Sequence, residues 1–112
     1  MRILFIVDPL STFKTYKDST FAMMREAAAR GYAIYTCLQS QLTLANNVVE
    51  TVATPIALTG DEDDWYRAGD ARLLPLTGFD AVLMRKDPPF DMEYVTSMCL
   101  LEIAERQGAR VF

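Results

Sequence analysis

Two adjacent cations, Arg85 and Lys86, are the residues of this sequence best placed to do chemistry. They directly follow the apolar run 81–84, which is typical of an inner parallel strand covered on both faces. In open α/β sheets, ligands bind in the crevice outside the carboxyl ends of the strands. The pair therefore predicts a binding site for a negatively charged ligand. Exposed cations that only solubilise a strand end would fit the same pattern.

The loop after these cations is stiff. Asp87 is followed by Pro88 and Pro89, which fix two φ angles, remove two amide donors and keep Asp87 out of helical geometry. Asp91 is a candidate N-cap for the next helix. Because a rigid loop has little conformational entropy left to lose, this loop is suited to supporting a binding site.

A second set of polar residues opens the first helix. Asp18, Ser19 and Thr20 are N-cap candidates for a helix over 19–30, and Gly31 supplies its stop. The start of this helix faces the same edge of the sheet. Free amides with a serine or threonine hydroxyl can bind a carboxylate there, although plain capping explains the same residues.

The overall composition restricts the classes of function. The 112 residues, 51% of them hydrophobic and 23% charged, predict one globular domain. A net charge of −4 without a basic stripe argues against nucleic acid, and the absence of histidine disfavours zinc and histidine general-base chemistry. The first apolar run is too short for a membrane span or a signal peptide, so we expect a cytoplasmic protein that binds no membrane. Cys37 and Cys99 are predicted to be buried, reduced thiols.

The predicted elements run β-α-β, hairpin, β-α-β. Outside the hairpin, strands are predicted at 2–7, 32–37, 81–84 and 109–112, and helices at 19–30 and 91–107. This order predicts an α/β fold with a doubly wound, mostly parallel sheet and flanking helices. A domain that ends on a fresh strand looks truncated, so we expect further chain beyond it.

The middle of the chain departs from this rhythm. The runs 42–45 and 48–58 flank Asn46-Asn47, which tolerate left-handed turns, and this predicts an inserted β-hairpin. Pro55 is expected to confine the second strand of the hairpin to a sheet edge. The acidic run 61–64 is interpreted as a solvated turn before a short helix at 65–67, rather than as a metal site.

Two further patterns concern binding. The loop 10–17 after the first strand has no glycine, so the dinucleotide-binding fingerprint is missing. In the last helix, Met92, Val95, Cys99 and Ile103 form one apolar stripe that Met98, Leu100 and Leu101 broaden, which indicates packing on more than one side.

Several of these motifs resemble the amino-terminal domain of the bacterial glutathione synthetases, which are ATP-grasp ligases. The main one is the run Leu-Met-Arg-Lys-Asp-Pro-Pro-Phe-Asp at 83–91. The motifs Val7-Asp8-Pro9, Lys17-Asp18-Ser19 and Arg30-Gly31-Tyr32 are similar to the family pattern in the same order and spacing. The resemblance covers essentially the whole chain and is less close over 38–78.

The resemblance implies a Rossmann-like pre-ATP-grasp domain over residues 1–112, with the ATP-grasp domain absent from this chain. The full-length enzyme would join γ-glutamylcysteine to glycine through an acyl phosphate. It would use ATP and Mg²⁺ (or Mn²⁺) bound mainly outside this domain. It would also form a homo-oligomer, a tetramer in similar enzymes. The domain alone is expected to be inactive and to hold no catalytic or metal-binding residue.

The resemblance also implies roles for individual residues. Arg85 would bind the carboxylates of the substrate, with Asp18 and Ser19 holding its amino-terminal end. The residues expected to support the loops are Asp8, Pro9, Lys17, Lys86, Asp87, Pro88 and Pro89. Two other interpretations stay open: the corresponding domain of another amino-acid ligase, such as a D-alanine ligase, and a stand-alone flavodoxin-like binding module.

Overall fold

The computed structural model describes residues 1–14, 18–61, 63–86 and 91–112, and it shows an α/β fold. The elements are β1 Arg2–Ile6, α1 Ser19–Ala29, β2 Ala33–Cys37, β3 Leu42–Ala45, β4 Val48–Leu58, β5 Tyr66–Ala68, β6 Arg72–Pro75, β7 Ala81–Met84 and α2 Met92–Arg106. Short 3₁₀ turns lie at Leu10–Thr12, Gln39–Gln41 and Leu76–Gly78. Within these ranges, no helix is long and apolar enough to cross a lipid bilayer.

The sheet is mixed, so the prediction of a mostly parallel, doubly wound sheet is not confirmed. The strand order is β3-β4-β2-β1-β7, and β5 and β6 also pair with β4. β1 runs parallel to β2 and β7, whereas β4 runs antiparallel to each of its four partners. The cause is the hairpin, since a tight turn reverses the chain while a parallel pairing needs a long crossover.

Side-chain alternation along β1 builds a core on each face of the sheet. Leu4 and Ile6 lie in the core on the α2 side, and Phe5 and Val7 lie in the core on the α1 side. α2 contributes Leu101 and Ala104 to the first core, and α1 contributes Met24 and Ala27 to the second. The continuous apolar run of β1 is therefore explained, because both of its faces are covered.

The predicted hairpin is confirmed at both strands and at the turn, where Asn46 and Asn47 have φ of 50° and 64°. The prediction that Pro55 marks an edge is wrong, because β4 has partners on both sides. The Pro55 carbonyl accepts a hydrogen bond from the Gly69 amide at 2.8 Å. The amide nitrogen and carbonyl of a strand residue point to the same side of the strand, so the Pro55 nitrogen, which has no hydrogen to donate, faces the same side as this carbonyl. On that side β4 changes partner from β6 to β5.

The short helix predicted at 65–67 is wrong, because residues 66–68 form β5 and pair with 56–58 of β4. Trp65 is buried before this strand, and the rings of Phe13 and Phe21 lie 5.4 and 5.1 Å from its ring. The predicted strand at 109–112 is reduced to a parallel bridge between Val111 and Val82 beside β7.

The predicted apolar stripe of helix α2 is confirmed only in part, since Leu101 is buried and Leu100 and Ile103 pack against the core. The buried residues of α2 are Ser97, Leu101 and Ala104. Met92 and Val95 are exposed, and so is Cys99, whose predicted burial is wrong. Ser97 tolerates burial because its hydroxyl donates a hydrogen bond to the Glu93 carbonyl at 2.9 Å.

Candidate functional site

The candidate site lies where β1 and β7 end beside the start of α1. β1 and β7 are parallel and in register, with Ile6 opposite Met84. The Arg85 amide extends this pairing by one step and donates to the Ile6 carbonyl at 2.8 Å. The main chain of Arg85 is therefore fixed by the sheet, although its side chain leaves the strand end.

The Arg85 side chain, which is partly buried, is hydrogen-bonded to the first turn of α1. Its Nη2 donates to Ser19 Oγ at 2.8 Å, and its Nε donates to Thr20 Oγ1 at 3.2 Å. Ser19 is exposed, whereas only 5% of Thr20 is exposed. The structure thus joins two of the predicted site residues, Arg85 and Ser19, across 66 positions of the chain.

Asp18 is the N-cap of α1, as its position predicted. Its Oδ1 accepts hydrogen bonds from the amides of Thr20 at 2.9 Å and Phe21 at 3.4 Å, which satisfies two donors that have no partner within the helix. Asp18 and Arg85 therefore act on the same helical turn, one on its amides and the other on its hydroxyls. We call Asp18, Ser19, Thr20 and Arg85 the Arg85 site.

Lys86 points to the opposite face of the sheet. Its Nζ lies 2.9 Å from Asp8 Oδ1, and the two side chains are only 17% and 26% exposed. This hydrogen bond raises the pKa of the Lys86 ammonium above its ordinary value. The two cations that are adjacent in sequence therefore have separate surroundings, because successive side chains at a strand end alternate between faces.

The electrostatic surroundings of the Arg85 site favour an anion. The amino end of α1 carries a partial positive charge, and the Arg85 guanidinium is held against it. The Asp18 carboxylate offsets part of this charge while capping the helix. A carboxylate approaching this edge would meet a guanidinium and a helix terminus together.

Two cavities adjoin the strand ends and share Asp8 and Pro9 in their walls. The larger has a volume of about 340 Å³ and reaches across β2 and β4, where Thr36, Thr54 and Tyr66 line it. The smaller, of about 160 Å³, includes Lys86 and Glu93 on the α2 side. These cavities leave room for a small polar ligand beside the loop that follows β1.

The remaining predicted residues have mixed outcomes. Pro9 is exposed in the loop after β1. Lys17, Asp87, Pro88 and Pro89 lie outside the described residues. Thr20 was predicted only as a capping candidate, and its contact with Arg85 was missed. The signal for that contact is weak, since it depends on how close α1 comes to β7.

The acidic side chains of the described residues are not arranged as a metal site. Over the described ranges, no group of three or more histidine, cysteine, aspartate or glutamate side chains could hold a metal ion. In the acidic turn, Asp61 Oδ1 accepts hydrogen bonds from the amides of residues 63 and 64.

Known proteins of one family match this chain over its whole length. The family model described as "Prokaryotic glutathione synthetase, N-terminal domain" matches residues 1–112. A protein named glutathione synthetase from Ralstonia nicotianae is 91% identical over 112 residues, which are 100% of this chain and 35% of that protein. The glutathione synthetase from Bordetella pertussis is 53% identical over 117 residues, which cover 100% of this chain and 37% of that protein. The glutathione synthetase from Shewanella oneidensis is 39% identical over 106 residues, which cover 95% of this chain and 34% of that protein. The chain thus spans about a third of the length of these relatives.

Proposed function

Since the chain belongs to the family of prokaryotic glutathione synthetase N-terminal domains, we propose that it is the substrate-side domain of a glutathione synthetase. The full-length enzyme would ligate γ-glutamylcysteine to glycine, with ATP converted to ADP and phosphate through an acyl phosphate. The domain by itself would not be catalytic. The names of the relatives described above favour neither a D-alanine ligase domain nor a stand-alone flavodoxin-like module.

The observation that carries this proposal is the position of Arg85, which the sheet fixes through its main chain and α1 fixes through its side chain. A guanidinium offers two parallel donors that match the oxygens of a carboxylate, a geometry that lysine cannot reproduce. The substrate γ-glutamylcysteine carries two carboxylates and one ammonium group. We assign a carboxylate to Arg85 and the amino-terminal end to Asp18 and Ser19.

The proposal extends to the fold family, cofactors and cell compartment. The domain would be a Rossmann-like pre-ATP-grasp domain in which the hairpin strand β4 makes the sheet mixed. ATP and Mg²⁺ (or Mn²⁺) would be held mainly by other parts of the enzyme, where they activate the carboxylate that is to be joined to glycine. The enzyme would be a cytoplasmic homo-oligomer.

The test is an Arg85→Ala variant of the full-length enzyme that carries this domain. Losing hydrogen bonds to a charged group costs about 1.5–3 kcal/mol, so KM for γ-glutamylcysteine should rise roughly ten- to hundredfold. KM for ATP should change less than about twofold, because the interaction that is lost contacts γ-glutamylcysteine and not ATP.

The matched control is Arg30→Ala, which removes an exposed guanidinium from the other end of α1, where Arg30 pairs with Glu26. This variant should keep both KM values near those of the unmodified enzyme. An equal rise in the two KM values of Arg85→Ala would reject the assignment of Arg85 to the dipeptide.

A further inference from the structure

We infer that Thr20 is a positioning residue for Arg85, which it orients so that one edge of the guanidinium faces the α-carboxylate of the glutamyl group. This inference rests on the proposed function and deepens it, because it names the substrate group that the Arg85 site binds. Thr20 itself would not touch the substrate.

The argument begins with the edges of the guanidinium. Nε and Nη2 form its side edge, and this edge is occupied by the hydroxyls of Thr20 and Ser19. The end edge, made of Nη1 and the second hydrogen of Nη2, has no acceptor among the described residues. A planar guanidinium held by one edge presents the other in a fixed direction, which is what bidentate pairing with a carboxylate requires.

Thr20 is suited to this role by its rigidity. It is buried, and its amide donates to Asp18 Oδ1 at 2.9 Å, so both its main chain and its surroundings are fixed. A β-branched side chain in a helix also has few χ1 rotamers available. The exposed Ser19 hydroxyl has more freedom. Thr20 is therefore the more rigid of the two supports for Arg85.

The chemistry of the reaction selects the carboxylate. In the proposed reaction, the cysteinyl carboxylate of γ-glutamylcysteine would be consumed, because one of its oxygens would take the γ-phosphoryl group of ATP, with ADP as the leaving group. Bidentate pairing would occupy both oxygens of that group and weaken it as a nucleophile. The glutamyl α-carboxylate keeps its charge throughout the reaction, so Arg85 can hold it from binding to product release.

The experiment compares Thr20→Val, Thr20→Ser and a control, Thr43→Val, in the full-length enzyme. Thr20→Val keeps the shape and removes the hydroxyl, so KM for γ-glutamylcysteine should rise about tenfold, with kcat and KM for ATP changed less than about twofold. Thr20→Ser should restore KM to within about twofold. Thr43→Val removes a hydroxyl that donates to the Glu50 carbonyl on the distant hairpin and should change neither KM.

A second arm separates positioning from general damage. 4-Aminobutanoylcysteine, which is γ-glutamylcysteine with hydrogen in place of the α-carboxylate, is assayed as a competitive inhibitor. The preference of the enzyme for γ-glutamylcysteine over this analogue should fall about tenfold in Thr20→Val. In an Arg85→Ala background, Thr20→Val should add less than about twofold, since the group that it positions is gone.

The outcomes distinguish the inference from the proposed function. If the unmodified enzyme makes no glutathione, the proposed function fails. If it does, and Thr20→Val behaves like Thr43→Val or weakens both dipeptides equally, the positioning inference alone is overturned. Should Thr20→Val not fold, Thr20→Ala removes the same hydroxyl with a smaller side chain, and an unchanged preference for γ-glutamylcysteine over the analogue in that variant would overturn the positioning inference.

Discussion

We propose that Asp18 has a role in binding besides its role as a helix cap, and two substitutions can distinguish the two roles. Its Oδ1 caps α1 through the amides of Thr20 and Phe21, and we propose that its charge also holds the amino-terminal end of the substrate. Asp18→Ala removes both the cap and the charge. Asp18→Asn keeps an oxygen that can accept the same hydrogen bonds and removes only the charge.

The expected change in stability follows from the cap. Replacing an N-cap aspartate by alanine costs about 1 kcal/mol, within a range of about 0.5–2 kcal/mol. At about 2.1 cal/mol/K per residue, a chain of 112 residues unfolds with an entropy of about 0.24 kcal/mol/K, so Asp18→Ala should lower Tm by about 4 °C. Asp18→Asn should lose only the interaction of a charge with the helix dipole, about 0.3–1 kcal/mol.

The assay combines thermal unfolding of this chain, followed by circular dichroism, with KM for γ-glutamylcysteine in the full-length enzyme. Asp18→Asn should raise that KM almost as much as Asp18→Ala while keeping most of the stability. If both variants lose stability equally, the capping argument is wrong. If Asp18→Asn leaves KM unchanged, Asp18 is only a cap and its assignment to the substrate is refuted.

The other predictions concern the cysteines and the hairpin turn. Native protein should react quickly with a thiol reagent at the exposed Cys99 and slowly at the buried Cys37, giving one fast thiol per chain; two fast thiols would contradict the fold. Burial raises the pKa of the Cys37 thiol to about 11, so the folded state holds this proton more tightly than the unfolded state. The stability that this difference contributes is present below about pH 9 and should be lost between about pH 9 and 11. The difference in unfolding free energy between the unmodified chain and Cys37→Ala should shrink by about 2–3 kcal/mol over that window, and a constant difference would argue against this shift. Asn47→Ala should lower the free energy of unfolding by about 1 kcal/mol, because alanine is strained at φ 64°, whereas Asn47→Gly should leave it unchanged. Equal losses of unfolding free energy in urea would count against the turn assignment.

Local chemistry was readable from the sequence wherever a residue type decides the backbone. The left-handed turn at 46–47 needs asparagine or glycine, and Gly31 stops α1 with φ 78°. Asp91 caps α2, as predicted, by accepting a hydrogen bond from the Tyr94 amide at 3.0 Å. In each case the signal lies within a few residues of the structure that it specifies.

The errors arose where partners are distant in sequence. β5 has three residues, too few to show a period, and it is a strand only because β4 lies beside it. The buried face of α2 was predicted only in part, because Ser97 has the polarity of a surface residue, yet it is buried with its hydroxyl donating a hydrogen bond to the Glu93 carbonyl. Likewise, the Thr20 contact could not be predicted, because it depends on the distance between α1 and the end of β7.

The two-residue period of the strand explains why the adjacent cations can have different roles. Leu83 packs on the α1 side and Met84 on the α2 side, and Arg85 and Lys86 continue this alternation beyond the strand. Lys86 is thereby brought to Asp8, whose charge it balances, and it joins the loops that follow β1 and β7. Arg85 is directed instead to the hydroxyls of α1, which are neutral, so its positive charge is not cancelled by a paired carboxylate there. A single residue inserted before Arg85 would exchange the two environments, and the guanidinium would then face Asp8 instead of the first turn of α1.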